Sequence, residues 1–463
     1  MADLYTRLAS SALFPLHEWA KGHHTVAVRR QLEQTQWLPR ADVLRLQGQR
    51  LARFMREAHA RVPYVQHLFD SLGLTPSDVQ DLDGLRRLPL MDKATIRAHT
   101  EALRARDASR LVRFNTGGST GEPLVFYIGK DRVSHDVAAK WRATRWWGVD
   151  IGDPEIVVWG SPIELGAQDR LRSLRDKLLR TRLLPAFELS PQNLDRFITE
   201  IRHFRPRMLF GYPSSLALIA GHAEQASVPL DGLGIRVAFV TSEQLYDHQR
   251  QAIERVFGCP VANGYGGRDA GFIAHACPEG RLHISAEDIV VEILDAEGQP
   301  LPMGQSGEIV VTHLATADFP FIRYRTGDVG ALDADPCPCG RGLPVLGRIE
   351  GRSTDFVVAA DGTIMHGLAL IYVLRDIPAI DQFKIVQESL SHTRVLVTSG
   401  EPLAENSVGE IKAQFNRRLG RDVQITIEHV AEIPREQSGK YRYVVSHVPA
   451  STTATLSADM GRV

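Results

Sequence analysis

Residues 115–123 read Asn-Thr-Gly-Gly-Ser-Thr-Gly-Glu-Pro, and no other stretch of the sequence says more about the fold. Glycines reach backbone angles that other residues rarely adopt, so successive N–H groups can point into one concavity. The hydroxyl groups between the glycines add donors that suit polyphosphate oxygens. The sequence therefore predicts a phosphate-binding loop made of Thr116, Gly117, Gly118, Ser119, Thr120 and Gly121.

Three other interpretations of this loop stay open. A plain surface turn has the same composition, because Gly, Ser and Thr dominate turns. A P-loop requires Gly-Lys-Ser/Thr and then a helix, whereas a proline and a strand-like run follow here. The segment also fits the Gly-x-Ser-x-Gly pattern of a nucleophile elbow, which needs a strand-to-helix turn. The strand–loop–strand pattern argues against both of these motifs.

Outward from the loop, hydrophobic periodicity predicts an α/β protein. Apolar residues at helical spacing predict helices over 42–61 and 135–147. Short β-rich runs alternate with helical stretches between about 156 and 240, which indicates α/β layering. Strands at 289–294 and 308–314, joined by a Gly- and Pro-containing loop, are typical of a β-hairpin or a small barrel edge.

After Gly351 the pattern changes to a smaller α+β unit. A strand, an amphipathic helix and another strand are predicted between 395 and 427. We therefore expect a large N-terminal domain over 1–350, with a β-rich appendage, and a small mobile C-terminal lid domain over 351–463. The small, polar residues after about 450 read as a frayed tail.

Composition excludes several classes of function. With 54 basic and 55 acidic residues, the net charge of -1 gives no general attraction to nucleic acid or anionic lipid. The most apolar N-terminal stretch, residues 8–16, contains a proline and is too short to span a bilayer. Four cysteines argue against a disulfide-stapled secreted scaffold. We expect a cytoplasmic protein with no nucleic-acid or membrane partner, and a homodimer stays open.

Four residues predict a structural metal site: Cys277, His283, Cys337 and Cys339. Three thiolates and an imidazole suit tetrahedral Zn²⁺, and a Cys-Pro-Cys turn can aim two sulfurs at one point. The four protein ligands leave no open position for water, so the role would be structural. His275 is the substitute ligand. The alternative is three reduced cysteines and a surface histidine.

Four further segments follow the glycine loop in order. They are Asn-Gly-Tyr-Gly-Gly-Arg-Asp at 263–269, Tyr-Arg-Thr-Gly-Asp at 324–328, Gly-Arg-Ser-Thr-Asp at 351–355 and Pro-Arg-Glu-Gln-Ser-Gly-Lys at 434–440. Together the five segments resemble the adenylate-forming superfamily of acyl-CoA synthetases, in its phenylacetate–CoA ligase-like and capsular polysaccharide CapK-like branch. Residues 62–64 and 88–93 look like that branch's N-terminal lead-in, so the resemblance covers roughly 62–444.

The resemblance implies an ATP and Mg²⁺ site. Tyr265 would pack on adenine, and Asp269 would help to hold Mg²⁺, although the family usually has Glu there. Asp328 would accept hydrogen bonds from the ribose hydroxyls. The adenine pocket would also include Ser242, Glu243, Asn263 and Gly266. A solvated helix start explains Glu243 equally well.

Two residues near the C-terminal domain complete the implied site. Arg352 would contact ribose and phosphate from the hinge segment between the domains, a task that suits a permanent planar cation. Lys440 would stabilise the charge that develops when a carboxylate attacks the α-phosphate. Both lie in segments that match the family's pattern by residue type and order.

The implied function is ATP-dependent conversion of a carboxylic acid to acyl-AMP, followed by acyl transfer. Within the family the acceptor is usually the thiol of CoA, with an amine or a carrier protein as alternatives. Trp141, Trp146 and Trp159 suggest an aromatic or long apolar acid, but a buried core explains them equally well. A non-catalytic, zinc-stabilised nucleotide-binding protein is the alternative from another class, and Lys440 argues against it.

Overall fold

The structure is a computed structural model that describes residues 3–115, 124–159, 175–186, 189, 191–352, 356–361, 364–433 and 442–448. The chain divides into two compact units. The first is formed mainly by Met1–Thr326 and Gly330–Ile349, and the second mainly by Glu350–Glu436 with Gly327–Val329. The chain has a large mixed sheet with helices and a small C-terminal α+β unit, which confirms the predicted fold class. The exact domain boundary near residue 351 stays a prediction.

One sheet of eleven strands organises the first unit. Its strands, from one edge to the other, are Ile289–Leu294, Gly307–His313, Tyr324–Asp333, Val345–Arg352, Leu282–Ile284, Gly271–Ala276, Val261–Gly267, Val237–Thr241, Met208–Gly211, Glu155–Trp159 and Thr181–Pro185. The last five strands in this order, from Val261–Gly267 to Thr181–Pro185, pair with one another in parallel. The remaining pairings that the structure describes are antiparallel. The continuous burial of Val237–Thr241 is what a central strand covered on both faces requires.

The α-helices begin and end where local sequence signals place them. Asp92 accepts a hydrogen bond from the Thr95 amide and caps the helix that follows, and a left-handed Gly258 ends Asp247–Phe257. The described α-helices are Leu4–Leu8, Phe14–Ala20, Thr25–Thr35, Arg40–Arg61, Pro63–Leu72, Leu82–Arg86, Lys93–Ala98, Lys130–Trp146, Pro191–Phe204, Pro213–Gln225, Asp247–Phe257, Leu368–Arg375 and Glu405–Leu419. None of them combines the length and the apolar run that a bilayer crossing requires.

Two antiparallel hairpins match the sequence predictions. Strands Val112–Asn115 and Val125–Ile128 pair on either side of the glycine loop, so the strand–loop–strand interpretation of that region is confirmed. The loop itself, residues 116–123, lies outside the described residues. Strands Ile289–Leu294 and Gly307–His313 pair in register from Ile289 opposite His313 to Leu294 opposite Glu308.

The second unit is built on a four-stranded sheet. Its order is Gln424–His429, His392–Thr398, Gln382–Ser389 and Val444–Ser446, with a small hairpin of Phe356–Val358 and Ile364–His366. The buried Gln387 amide bonds to both backbone groups of Val358 and joins the hairpin to the sheet. The helix Glu405–Leu419 buries Ile411, Phe415 and Leu419 at the predicted helical spacing.

Candidate functional site

Three neighbouring parallel strands end side by side and define the candidate site. Gly211 lies opposite Val240, and Thr241 lies opposite Gly264, so their carboxyl ends share one edge of the sheet. Ligands of open α/β sheets bind outside the carboxyl ends of the strands. The predicted residues Ser242, Glu243, Asn263, Tyr265, Gly266 and Asp269 all follow or occupy this edge in the first unit.

Glu243 takes part in a helix start, although not the one that the sequence suggested. Its Oε2 accepts a hydrogen bond of 3.2 Å from the backbone N–H of Ser214, at the beginning of Pro213–Gln225. The helix that follows Glu243 in the chain begins only at Asp247. Ser242 beside it has a positive φ of 72°, a conformation unusual for a residue other than glycine. Such outliers are held by their surroundings and are common at functional sites.

The turn after Tyr265 depends on a close approach of two backbones. The pairing of Val261–Gly267 with Gly271–Ala276 is irregular between Tyr265 and Gly266. A Cβ on Gly266 would lie 2.2 Å from the carbonyl oxygen of Gly271, so no larger residue fits. The turn carries the chain from the half-buried Tyr265 to Asp269 at the same edge.

Asp269 is held from three directions. The Tyr324 hydroxyl donates to its Oδ2 at 2.7 Å, and the Ala270 backbone N–H donates to its Oδ1 at 3.0 Å. Its carbonyl oxygen accepts a third bond, of 3.0 Å, from Arg132 Nη2. An ionised carboxylate offers about four lone-pair positions. The partly exposed side chain therefore keeps acceptor capacity for a hard cation.

The sequence alone missed the contributions of Tyr324 and Arg132. Tyr324 is fully buried and opens the Tyr-Arg-Thr-Gly-Asp motif, in which the sequence assigned a role only to Asp328. Because Tyr324 is the first residue of this motif, the sequence could have identified it as a candidate site residue. Arg132 gave no comparable signal, because a cation near the start of a helix looks like a solvated residue until its burial is known.

The lead-in segment lies against the same motif. The Met91 N–H donates to the Arg323 carbonyl oxygen at 2.9 Å, and the Arg325 N–H donates to the Met91 carbonyl oxygen at 2.8 Å. The buried Arg323 side chain donates to the carbonyl oxygen of Leu88 at 2.7 Å. Two segments that resemble the family separately are therefore joined by backbone pairing.

Two predicted residues belong to the second unit. Asp328 is half-buried in the strand Tyr324–Asp333 and follows Gly327, whose φ of +76° favours glycine. Arg352 is the last residue of Val345–Arg352. The remaining predicted residues, Thr116, Gly117, Gly118, Ser119, Thr120, Gly121 and Lys440, lie outside the described residues.

The tryptophans that suggested an apolar acid fall into two places. Trp159 ends a parallel strand and stacks on the buried Tyr212, with ring centroids 4.3 Å apart, so this pair borders the candidate site. Trp141 and Trp146 instead belong to the helix Lys130–Trp146. Trp141 is buried, and Trp146 packs edge-on against His283. The buried-core explanation is therefore the right one for Trp141.

Cys277, His283, Cys337 and Cys339 come together in the first unit, with all ligand atoms within 4.8 Å of one another. The sulfurs of Cys277 and Cys337 are 3.6 Å apart, and Cys339 Sγ is 3.2 Å from His283 Nε2. Tetrahedral zinc would place two sulfurs about 3.8 Å apart and a sulfur and a nitrogen about 3.6 Å apart. Both observed separations are close to these values, so the four side chains are compatible with such an ion.

The ring orientation and the protonation state of His283 both suit a metal ligand. Its Nδ1 lies 3.3 Å from the Leu343 carbonyl oxygen, which orients the ring with Nε2 toward Cys339. Burial lowers the pKa of His283 to about 4, so the imidazole is neutral near pH 7. His275, the expected substitute ligand, lies outside this set and packs between Phe239 and Phe272. That expectation is wrong.

The thiols differ in their electrostatic surroundings. Burial raises the pKa of Cys277, and it raises the pKa of Cys337 to about 12. For Cys339, burial also opposes ionisation, but hydrogen bonds from the Arg341 backbone and side chain lower the pKa overall. A divalent cation would deprotonate all three thiols, because a coordinating thiol loses its proton.

Comparisons with known proteins agree with this geometry. Residues 180–317 match the family model "AMP-binding enzyme", and residues 357–447 match the "CapK C-terminal domain". The chain is 25% identical over 418 residues to Protein CapK of Staphylococcus aureus, covering 88% of this chain and 90% of the relative. It is 26% identical over 440 residues to the phenylacetate-coenzyme A ligase of Thermus thermophilus, and this match covers 88% of this chain and 97% of the relative.

The fold is that of a solved ligase. A crystal structure of 2-hydroxyisobutyryl-CoA ligase in the postadenylation state, in complex with R3-HIB-AMP, superposes with a TM-score of 0.72. The sequences are 20% identical, and the match covers 93% of this chain and 94% of the ligase. Together with this fold, the two family models and the curated relatives support the adenylate-forming superfamily for this chain, in the branch of CapK and the phenylacetate–CoA ligases.

Proposed function

We propose that this protein is an AMP-forming acid–thiol ligase, which activates a carboxylic acid with ATP and transfers the acyl group to CoA. The observation that carries the proposal is the gathering of Glu243, Tyr265 and Asp269 at the carboxyl ends of adjacent parallel strands. The AMP-binding match over residues 180–317 includes all three residues. The similarity to phenylacetate-coenzyme A ligases over most of the chain supports the choice of a thiol acceptor.

Adenine would lie against the Tyr265 ring, next to the edge formed by Ser242, Asn263 and Gly266. Asp269 would hold Mg²⁺, which neutralises phosphate charge when it is bound. The Asp269 carboxylate suits this task, because the Tyr324 hydroxyl and the Ala270 N–H fix its orientation and leave lone pairs free. The shorter Asp thereby takes the place of the Glu that is usual in this family.

The family resemblance gives nucleotide-binding roles to further residues. Asp328 would bind the ribose hydroxyls, and Arg352 the ribose and phosphate. Thr116, Gly117, Gly118, Ser119, Thr120 and Gly121 would cradle the polyphosphate through their backbone N–H groups and hydroxyls. Lys440 would stabilise the charge that builds up as the carboxylate attacks the α-phosphate and pyrophosphate leaves.

The Cys277, His283, Cys337 and Cys339 set would hold a structural Zn²⁺. The observed sulfur–sulfur and sulfur–nitrogen separations support this ion, as does the hydrogen bond that orients His283. Four protein ligands leave no coordination position for substrate. The ion would therefore contribute to stability and take no part in acyl activation.

The first experiment measures pyrophosphate release with Mg–ATP over a panel of aromatic, short and long-chain carboxylic acids. The Lys440→Ala variant should lose about 10²- to 10³-fold in rate, as expected for removal of one transition-state charge contact. ATP affinity should change only a few-fold. Lys412→Ala, which removes an exposed lysine from the helix Glu405–Leu419, is the matched control and should keep the wild-type rate.

The outcomes separate the candidate functions. Pyrophosphate release at the wild-type rate by Lys440→Ala would contradict the mechanism. ATP binding without pyrophosphate release from any acid would instead favour a non-catalytic nucleotide-binding protein. Product analysis with CoA, simple amines and a carrier protein identifies the acceptor. Because ATP and CoA are cytoplasmic metabolites, the proposal places the reaction in the cytoplasm.

A further inference from the structure

A chain of buried and half-buried charges leads to Asp269 through residues to which the proposed function gives no role. His135 is 1% exposed. Its Nδ1 is 3.5 Å from Asp136 Oδ1, and its Nε2 is 3.4 Å from Asp288 Oδ2. The outer side of each carboxylate carries an arginine: Arg132 Nε donates to Asp136 at 3.0 Å, and Arg50 pairs with Asp288.

The signs of the charges alternate along this chain. Burial disfavours the charged imidazole of His135, but its contacts with the two carboxylates outweigh burial and raise its pKa to about 9. The order Arg50, Asp288, His135, Asp136, Arg132 is therefore positive, negative, positive, negative, positive near neutral pH. Each buried charge has an opposite neighbour, as low-dielectric surroundings require.

A metal ion is a poor alternative for this cluster. His135, Asp136 and His313 place ligand atoms within 4.8 Å of one another, which meets a simple distance criterion for a cation site. The chain nevertheless already carries more positive than negative groups, and Arg132 occupies the second oxygen of Asp136. A divalent cation would add two further charges beside two arginines in a buried setting.

The chain ends on the candidate Mg²⁺ ligand. Arg132 is 2% exposed, and while its Nε is held by Asp136, its Nη2 donates 3.0 Å to the carbonyl oxygen of Asp269. Gly271 makes room for this contact. A Cβ at Gly271, whose φ is +86°, would lie 2.9 Å from both Arg132 Nη2 and His313 Nε2.

We propose that Arg132 is a positioning residue for Mg–ATP binding: anchored by Asp136, it fixes the backbone of Asp269 and thereby the direction of its carboxylate. The inference rests on the proposed function, because it assigns Asp269 to the ion. Tyr324 fixes the carboxylate itself, and Arg132 fixes the peptide group that carries it. Partners that orient a ligand in this way typically change metal affinity by about 10- to 100-fold when they are removed.

The test is a double-mutant cycle on the full-length chain, read as the dissociation constant of Mg–ATP by calorimetry. Arg132→Lys should weaken binding about 10-fold in the wild-type background, because lysine cannot reach Asp136 and Asp269 with a rigid fork. In the Asp269→Ala background the same change should matter less than about 2-fold, because the group that it positions is gone.

Arg142→Lys is the matched control. Arg142 lies on the same helix, is 1% exposed and pairs with the buried Glu287, and it makes no described contact with Asp269. Arg142→Lys should change the Mg–ATP dissociation constant by the same small factor in the wild-type and Asp269→Ala backgrounds. If Arg132→Lys does not fold, Asp136→Asn removes the anchor of Arg132 instead and should show the same dependence on Asp269.

The outcomes distinguish failure of the positioning role of Arg132 from failure of the proposed function. Equal losses for Arg132→Lys in both backgrounds would show a general structural role and overturn the inference, while the proposed function would stand. An Asp269→Ala variant with unchanged Mg–ATP affinity would overturn the inference through its premise. A wild-type chain that binds no Mg–ATP would remove the proposed function as well.

Discussion

Two buried histidine clusters in the first unit look alike by distance but differ in charge. Cys277, His283, Cys337 and Cys339 bring three thiols around one neutral imidazole. His135, Asp136 and His313 bring their ligand atoms equally close. In the second cluster, however, the carboxylate of Asp136 already has Arg132 as its partner, and the neighbouring Asp288 pairs with Arg50.

The difference teaches that proximity alone does not define a metal site. Burial raises the pKa of two thiols in the cysteine cluster, and a cation would repay that cost by binding the thiolates. In the histidine cluster, burial and the nearby charge of Arg132 together lower the pKa of His313 to about 3, so this ring stays neutral beside a charged neighbour. A cation would balance the thiolates of the first cluster, whereas the second cluster contains its own positive charges.

The largest effect should come from the cysteine cluster. Cys337→Ser should abolish a zinc content close to one ion per chain and lower the melting temperature by more than about 10 °C, as expected for loss of a structural metal site. Metal analysis of protein purified without added zinc measures the content. Cys259→Ser, at a buried free cysteine outside the set, should leave the zinc content unchanged. Well-folded wild-type protein without zinc would contradict the assignment.

The histidine cluster should respond to pH and not to metal. His135→Gln should leave the metal content unchanged and lower the melting temperature at pH 6.5 by about 5–10 °C, because two buried carboxylates lose a shared partner. The folded pKa of about 9 lies above the ordinary 6.5 of histidine. The stabilisation from protonated His135 is therefore complete below about pH 6.5 and is lost as the pH rises through 9.

Thermal melting of both proteins from pH 6 to pH 9.5 measures this difference. The difference in melting temperature between the wild type and His135→Gln should become smaller as the pH rises toward 9.5. The flanking Asp136 and Asp288 have lowered pKa values and titrate in acid, so they do not interfere in this range. A difference that stays constant over the whole range would contradict a folded pKa of about 9 for His135.

The smallest effect should come from Trp146, which packs beside the cysteine cluster. Trp146 donates 2.7 Å to Gln36 Oε1 and packs edge-on against His283. Trp146→Phe keeps an aromatic ring there but removes the hydrogen bond. The loss should be about 1 kcal/mol, or roughly 2–4 °C in melting temperature, with zinc content unchanged. Zinc loss in this variant would mean that the orientation of His283 depends on Trp146.

The sequence predicted the elements whose pattern is local. The runs around Val237 and Met208 became central parallel strands, because a strand that is covered on both faces is continuously apolar. The 289–294 and 308–314 segments became the expected hairpin. The family motifs singled out Tyr265 and Asp269, and the structure has both at the carboxyl ends of the parallel strands, where ligands of open α/β sheets bind.

The sequence could not predict contacts that depend on which side chains become buried. His275 and His283 pair directly across two strands, but the His275 ring packs between phenylalanines and only His283 reaches a sulfur. Arg132 lies outside the helix predicted over 135–147, and no sequence motif singled out His135. Their partners, Asp269 and Asp288, lie far away in the sequence, so only the tertiary structure reveals the charge chain.

The backbone pairing of Met91 with Arg323 and Arg325 has a consequence for synthesis on the ribosome. Arg323 also donates to the carbonyl oxygen of Leu88, 235 residues earlier. At about 5–20 residues per second, the lead-in segment waits roughly 10–50 s before its partner strand is made. During that interval its apolar residues, among them Leu88 and Met91, have no sheet edge to cover them. The nascent chain therefore passes through a long period in which a chaperone that shields this segment would protect it from aggregation.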